Sequence, residues 1–287
     1  MEIVPASGWE KLVKDIARSK GTVVLLGAAD SGKSTLARHL LQKLLEKGIS
    51  VCLVDADVGQ SATGLPATIS ATAFRSLRDL TGCRPRSMFF IGTTNPAKSI
   101  GRMIYGTRKM AGACRRRRTE ITVVDTTGLV SGRAGMALKL GKIRALAPEN
   151  IVAIQKKGEL EHIISVLQKE GRNVHILKPS GRARKTGRAI RTSYRQERFR
   201  DYFRRSETVR FSPTAGAGFF FYHGRPLDLF DLKEEVEPGC LVGLEKGENC
   251  LGLGIFEGTD KDGVLVRTPV HPGRKPDRIS FGGIAVF

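Results

Sequence analysis

The chain has 287 residues, 40% hydrophobic and 26% charged, enough to bury a full core as one large domain or a large domain plus a small one. No apolar run approaches the roughly 18–20 residues that span a bilayer, and the opening residues lack the basic and apolar regions of a signal peptide, so a cytoplasmic protein with no membrane partner is expected. The formal charge of +20 is out of place for an enzyme of small neutral metabolites and points to a polyanion, nucleic acid first.

Ser7 stands where it would cap a helix from Gly8 to Ser19, with Trp9, Leu12, Val13 and Ile16 at helical spacing. Residues 21–27 form an apolar strand that ends in glycine, and Lys33 to Lys47 is an amphipathic helix stopped by Gly48. Further apolar strands are predicted at 51–54, 88–91, 121–124, 151–154 and 173–177. Helical patterns lie between them at 96–110, 136–146 and 160–170. Apolar strands alternating with helices imply an α/β fold, a mainly parallel sheet with helices on both faces. The rhythm changes near Ser206. Short segments at 241–244, 250–256, 263–267 and 284–287, separated by Gly and Pro, predict a small all-β domain. The expected organisation is therefore a P-loop domain over 1–205 and a β-rich domain over 206–287. The five cysteines (Cys52, Cys83, Cys114, Cys240, Cys250) form no C-x-x-C pair, so free thiols are expected, with neither a zinc site nor a disulfide framework.

Gly27-Ala-Ala-Asp30-Ser31-Gly32-Lys33-Ser34-Thr35 matches the phosphate-binding pattern G-x-x-x-x-G-K-[ST] and sits between a strand and a helix. Its glycines let the backbone wrap phosphate, and its N–H groups with the helix N-terminus supply positive field. Lys33 is expected on the β- and γ-phosphates and Ser34 on Mg²⁺, with Gly27, Asp30, Ser31, Gly32 and Thr35 completing an ATP site. Asp55 and Asp57 close the next strand, at the sheet edge where ligands bind in open α/β folds. They point to one side of an extended segment and could divide metal and base roles. From Lys178 to Arg205 there are eleven basic residues and two acids, a local charge of +9. They include Arg182, Arg184 and Lys185. Arg188, Arg191, Arg195 and Arg198 share one helical face. A second run, Arg115 to Arg118, suits either a nucleic-acid backbone or a solvated loop.

From Asp55 to Gln60 onward the chain resembles the polynucleotide 5′-hydroxyl kinases, the P-loop RNA kinases of pre-mRNA 3′-end processing, tRNA splicing and pre-rRNA processing. The resemblance rests on Gly27 to Thr35, Asp55-Ala-Asp57-Val-Gly-Gln60 with Gly64 to Ser70, and Gly92-Thr93-Thr94-Asn95-Pro96. It also rests on Asp125-Thr126-Thr127-Gly128, the arginine-rich segment and the glycine-rich tail from Val242 to Phe256. The resemblance implies that ATP and Mg²⁺ are used and that the partner is a nucleic acid with a 5′-OH end, RNA or DNA. It assigns catalysis to Lys33, Asp57, Arg191 and Arg195, the two arginines on a lid over about 178–205. It assigns substrate to Gln60, Thr93, Thr94, Thr126, Gly128 and Arg198, and metal to Ser34 and Asp55. The short stretch before Gly27 fits the compact archaeal and bacterial form. The chain departs from the eukaryotic pattern at Leu129, where a tryptophan clasps the base. Base stacking worth about 1–3 kcal/mol must then come from another group, or the substrate is held mainly by its phosphates. Two other readings of the same residues are an ATP- and RNA-binding scaffold without turnover, and a partner-switching ATPase or GTPase. The absence of an N-K-x-D motif disfavours GTPase.

Overall fold

A computed structural model describes residues 5–82, 84–180, 186–212, 220–222 and 224–286. Cys83, Arg182, Arg184, Lys185 and Phe287, each part of an expectation above, lie outside the described residues. The first half runs α1 (Trp9–Ser19), β1 (Gly21–Gly27), α2 (Lys33–Glu46), β2 (Val51–Ala56), β3 (Thr68–Phe74), β4 (Ser87–Phe90), α3 (Ile100–Arg116), β5 (Ile121–Thr126), α4 (Gly132–Leu146), β6 (Asn150–Ile154), α5 (Glu161–Lys169) and β7 (Val174–Leu177). The second half runs α6 (Arg188–Phe203), β8 (Glu207–Phe211), β9 (Phe220–Tyr222), β10 (Arg225–Leu227), α7 (Leu229–Glu235), β11 (Cys240–Lys246), β12 (Asn249–Asp260), β13 (Gly263–Thr268) and β14 (Arg278–Ala285).

The first sheet has the order β4-β3-β2-β5-β1-β6-β7. The five strands from β2 to β7 are parallel, while β3 joins antiparallel to β2 and to β4. The apolar strand runs explain this layering, because alternate residues serve opposite faces. Val23, Leu25, Leu53 and Val123 pack with α1 and α2 on one side. Val24, Leu26, Val54 and Val124 pack with α3, α4 and α5 on the other. Trp9 belongs to the first of these cores, 2% exposed and 5.0 Å from the His39 ring, so its indole packs the interior. Ser7 makes no cap; Gly8, in the left-handed conformation at φ 87°, stands at the start of α1 instead.

The structure adds a strand, β3 over residues 68–74, for which the sequence carries no separate expectation, and it corrects the expectation of free thiols. Cys52 and Cys114 are joined in a disulfide with Cα atoms 5.7 Å apart. Both are fully buried where α3 lies across β2, a contact between residues 62 apart in the chain that no local pattern announces. Among the described residues, no helix is long and apolar enough to cross a membrane.

The second sheet, β10-β9-β14-β11-β12-β13-β8, is mostly antiparallel and encloses its own core of Phe220, Leu244, Phe256, Val266 and Phe281. A separate core joins it to the first half: Phe90 of β4 and Phe199 and Phe203 of α6 pack on Leu241, Leu253 and Ile255. The hydroxyl of Tyr202 accepts from Leu253 N at 2.9 Å, and a Cβ at Gly252 would lie 2.6 Å from that hydroxyl. The β-rich tail is thus the bed on which α6 rests.

The backbones of the two halves meet closely at Gly92 and Gly282, where Gly283 N donates to Gly92 O at 2.9 Å. Gly92 has φ +80°, and a Cβ there would sit 2.9 Å from Gly282 Cα. Gly92→Ala is therefore expected to cost about 1–3 kcal/mol, lowering the melting temperature by roughly 3–10 °C. Gly101→Ala, in a helix with open space around it, should leave melting unchanged or slightly raised. Thermal denaturation of both variants decides; an unshifted Gly92→Ala would show that the contact is not a constraint.

Candidate active site

The carboxyl ends of β1, β2 and β5 meet at one edge because these strands are parallel neighbours, with Leu25 and Asp55 both in register with Asp125. Out of β1 comes the phosphate loop. A Cβ at Gly27 would collide with Ser31 Oγ, and both Asp30 (φ 61°) and Gly32 (φ 92°) are left-handed, so the loop curls tightly into α2. Lys33 is 6% exposed and donates to Ala28 O at 2.8 Å, within the loop itself. Burial lowers its pKa, against the pull of Asp125, Asp57 and Asp30. Ser31 Oγ is buried and has no partner among the described residues.

The three carboxylates behave differently. Asp57 Oδ1 accepts from Gly59 N and Gln60 N at 3.0 and 3.1 Å, which fixes the carboxylate in the wall of the cleft. Asp55 is 2% exposed and saturated by its own loop. Its Oδ1 accepts from Asp57 N, and its Oδ2 accepts from Ser61 Oγ, Ala62 N and Thr63 N at 2.7–2.9 Å. It folds residues 55–63 and does not line the cleft. Asp125 Oδ2 instead accepts from Ser34 Oγ at 2.6 Å, while Asp125 Oδ1 is buried with no partner among the described residues. Burial pushes Asp125 up to about 7; Lys33 opposes this, and Asp55 and Asp57 add to it. Ser34 and a half-satisfied buried carboxylate form a donor set suited to a hard divalent cation.

Behind them lie two buried amines. Lys139 Nζ donates to Thr126 Oγ1 at 2.7 Å and to Thr127 O, and Thr126 Oγ1 donates onward to Leu25 O. The Thr126 hydroxyl is therefore bound inside the fold, while Thr127, Gly128 and Leu129 face the cleft. A Cβ at Gly128 would lie 2.6 Å from Ala29 N, so only glycine lets this turn lie on the phosphate loop. Lys142, fully buried, has its pKa lowered to about 8 by burial, and its Nζ has no partner among the described residues.

The opposite wall is α6. Arg191 pairs with Asp30, which also accepts from Thr186 N at 2.8 Å, so the helix is latched onto the phosphate loop. Arg195 lines the cleft and donates to Thr192 Oγ1. Arg198 lies outside it, donating to Gly64 O, and Tyr194 donates to Ser61 O at 3.1 Å. Arg191, Arg195 and Arg198 thus make different contacts along α6.

The resulting cleft holds about 720 Å³ and brings together Asp30, Gly32, Lys33, Ser34, Thr35, Asp57, Gln60, Thr94, Gly128, Arg191 and Arg195. Gly27, Ser31, Asp55, Thr93, Thr126 and Arg198 do not line it. Thr93 is 5% exposed, with Asn95 N donating to its hydroxyl. Asp125, Lys139 and Lys142, buried behind the cleft, carry no such expectation from the sequence. Asp125 had a signal, since it ends an apolar strand as Asp55 does; the lysines had none, lying on a helix like any others. The Arg115 to Arg118 run precedes β5 and so lies at the opposite edge of the sheet. His162 and His175 are held by Val130 O and Asn150 Oδ1, and no metal-ligating cluster of His, Cys, Asp and Glu occurs among the described residues.

A family model described as the mRNA cleavage and polyadenylation factor CLP1 P-loop matches residues 27–205. The polyribonucleotide 5′-hydroxyl-kinase of Methanocaldococcus jannaschii is 37% identical over 71% of this chain, which spans only 56% of that protein. Those of Pyrococcus furiosus and Thermococcus kodakarensis are 31% and 35% identical, covering 92% and 96% of this chain and 87% and 92% of their own length. The solved Clp1p of a Clp1p–Pcf11p complex shares the fold, with a TM-score of 0.71 at 13% identity over 96% of this chain and 77% of that one.

Asp125 gives the site a pH signature. Its folded pKa of about 7 lies above the roughly 3.9 of an unfolded chain. The associated stability is thus present below about pH 4 and is lost as pH rises through about 7. The buried amines of Lys139 and Lys142 titrate in the opposite sense, so the comparison is between variant and wild type. With EDTA and no nucleotide, Asp125→Asn should raise the melting temperature relative to wild type by more at pH 8 than at pH 5. An equal difference at both pH values would refute the assignment.

Proposed function

The chain belongs to the CLP1 P-loop family, and on that premise we propose that it is a polyribonucleotide 5′-hydroxyl kinase, moving the γ-phosphate of ATP to the 5′-hydroxyl of RNA. The observation that carries the reading is the single cleft lined by Lys33, Asp57, Arg191 and Arg195. A phosphate loop alone serves any nucleotide hydrolase. A fixed carboxylate opposite two arginines serves an acceptor that must lose a proton as it attacks and a transferring group with charge to neutralise.

In this proposal the phosphate loop holds the triphosphate, and Lys33 exchanges its bond to Ala28 O for the β- and γ-phosphates. Ser34 and Asp125 hold Mg²⁺, the role expected of Asp55 passing to Asp125 because the Asp55 oxygens are taken by residues 57–63. Bound there, the ion neutralises phosphate charge. Asp57 accepts the proton of the 5′-hydroxyl as its oxygen bonds to the γ-phosphorus and the bond to the β–γ bridging oxygen breaks. Arg191 releases Asp30 and, with Arg195, stabilises the charge on the transferring group. Gln60, Thr94 and the Thr127–Leu129 turn receive the 5′ end. Residues 1–205 are the catalytic part, and 206–287 support α6.

Asp57→Asn should lower transfer of labelled γ-phosphate to 5′-OH RNA by about 10²–10⁴-fold while ATP binding stays near the wild-type level. A 5′-phosphorylated RNA is the negative control, and 5′-OH DNA tests the sugar. Wild-type protein that binds ATP and RNA without transfer would instead establish a binding scaffold.

A further inference from the structure

A second cavity of about 540 Å³ lies between the two halves of the molecule, lined by residues 90–93, Lys98, Arg102 and parts of β9 and β14. It shares a wall with the active cleft. Residues 90–93 line this cavity, Thr94, Asn95 and Pro96 line the cleft, and Lys98 lines the cavity again, so one turn of backbone separates the two. That turn is held by Gly283 N on Gly92 O.

The chemistry of the cavity is one-sided. Its described lining includes three cations, Lys98, Arg102 and Arg278, and no carboxylate. None of the three forms an ion pair among the described residues, although Arg102 donates to Phe90 O at 2.7 Å. Nearby Glu245 is buried and accepts from Ser280 Oγ at 2.6 Å. Burial raises its pKa, and the Ser280 hydroxyl, Arg102 and Arg278 act against that rise, so a single buried carboxyl stands beside the cations. Exposed Arg278 lies over the Phe221 ring at 4.5 Å, a cation–π contact between the guanidinium and the aromatic face. Three cations with one buried carboxyl nearby leave a local positive excess that favours an anion. Planar stacked groups beside them favour a base.

We propose that this cavity binds the RNA substrate downstream of its 5′ end, taking a base against the Phe221–Arg278 stack and backbone phosphates on Lys98, Arg102 and Arg278. The inference rests on the kinase reading for the identity of the strand. It supplies an aromatic platform that Leu129 does not, on the far side of the 92–94 turn from the reacting hydroxyl. It also gives the β-rich half a part in substrate selection, because Phe221 and Arg278 both come from it.

The test compares wild type with Lys98→Ala/Arg278→Ala and with Phe221→Ala, using 5′-OH RNA of two and of ten nucleotides. Anisotropy of a 3′-labelled ten-mer without ATP measures binding, and γ-phosphate transfer measures kinetics. Both variants should weaken ten-mer binding about tenfold or more. The cation variant should also flatten the dependence of log Kd on log salt by about 0.7 for each lost phosphate contact. Transfer to the two-mer, KM for ATP and the melting temperature should stay at wild-type values. Ten-mer affinity and the ten-mer to two-mer ratio unchanged in both variants would overturn the proposal while leaving the kinase intact. If the wild type transfers no phosphate, the kinase reading fails and anisotropy still decides the cavity.

Discussion

Charge buried in a protein has to be answered by opposite charge or by hydrogen bonds, and the carboxyl edge of the first sheet depends on that condition. Asp55, Asp125, Lys33, Lys139 and Lys142 are each at most 6% exposed. Asp55 is answered by backbone N–H groups and a serine hydroxyl. Lys139 is answered by the Thr126–Thr127 turn. Asp125 is answered on one oxygen only, and Lys142 has no hydrogen-bond partner among the described residues. A fully answered set would be inert scaffold. The unanswered oxygen beside Ser34 leaves this edge a donor open to a hard cation.

The same condition governs the lid. Arg191 is held by Asp30 of the phosphate loop, so α6 lies against the cleft. Phosphate oxygens can replace the Asp30 carboxylate as the partner of the guanidinium, which makes the latch exchangeable. The far end of α6 has no such freedom. Phe199 and Phe203 are buried against the second sheet, and Tyr202 is bonded to β12. One helix is therefore anchored by apolar burial at one end and by an exchangeable ion pair at the other. Glycines at 92, 252 and 282 permit the close approach that makes the anchor rigid.

The parallel sheet was legible because strands buried on both faces are written as unbroken apolar runs, and those at 21–27, 51–54 and 121–124 needed no partner to be recognised. The phosphate loop was legible because its chemistry is local: glycine spacing, a lysine and a hydroxyl within nine residues. Asp57 and the arginine-rich face were also visible, since both lie in short stretches whose composition is unusual. What the alphabet alone could not express was which polar atoms would be used up by neighbours. Asp55 and Asp57 look equivalent in sequence, two acids at a strand end, yet one is consumed by its own loop and the other lines the cleft. Asp125 becomes the partner of Ser34 only because β5 lies between β1 and β2. Cys52 meets Cys114 only because α3 crosses β2. Lys98, Arg102, Phe221 and Arg278 come from distant segments and converge only when the second sheet packs on the first. Local chemistry follows from the order of residues; the division of labour among like residues follows from burial and strand order, which are properties of the assembled molecule.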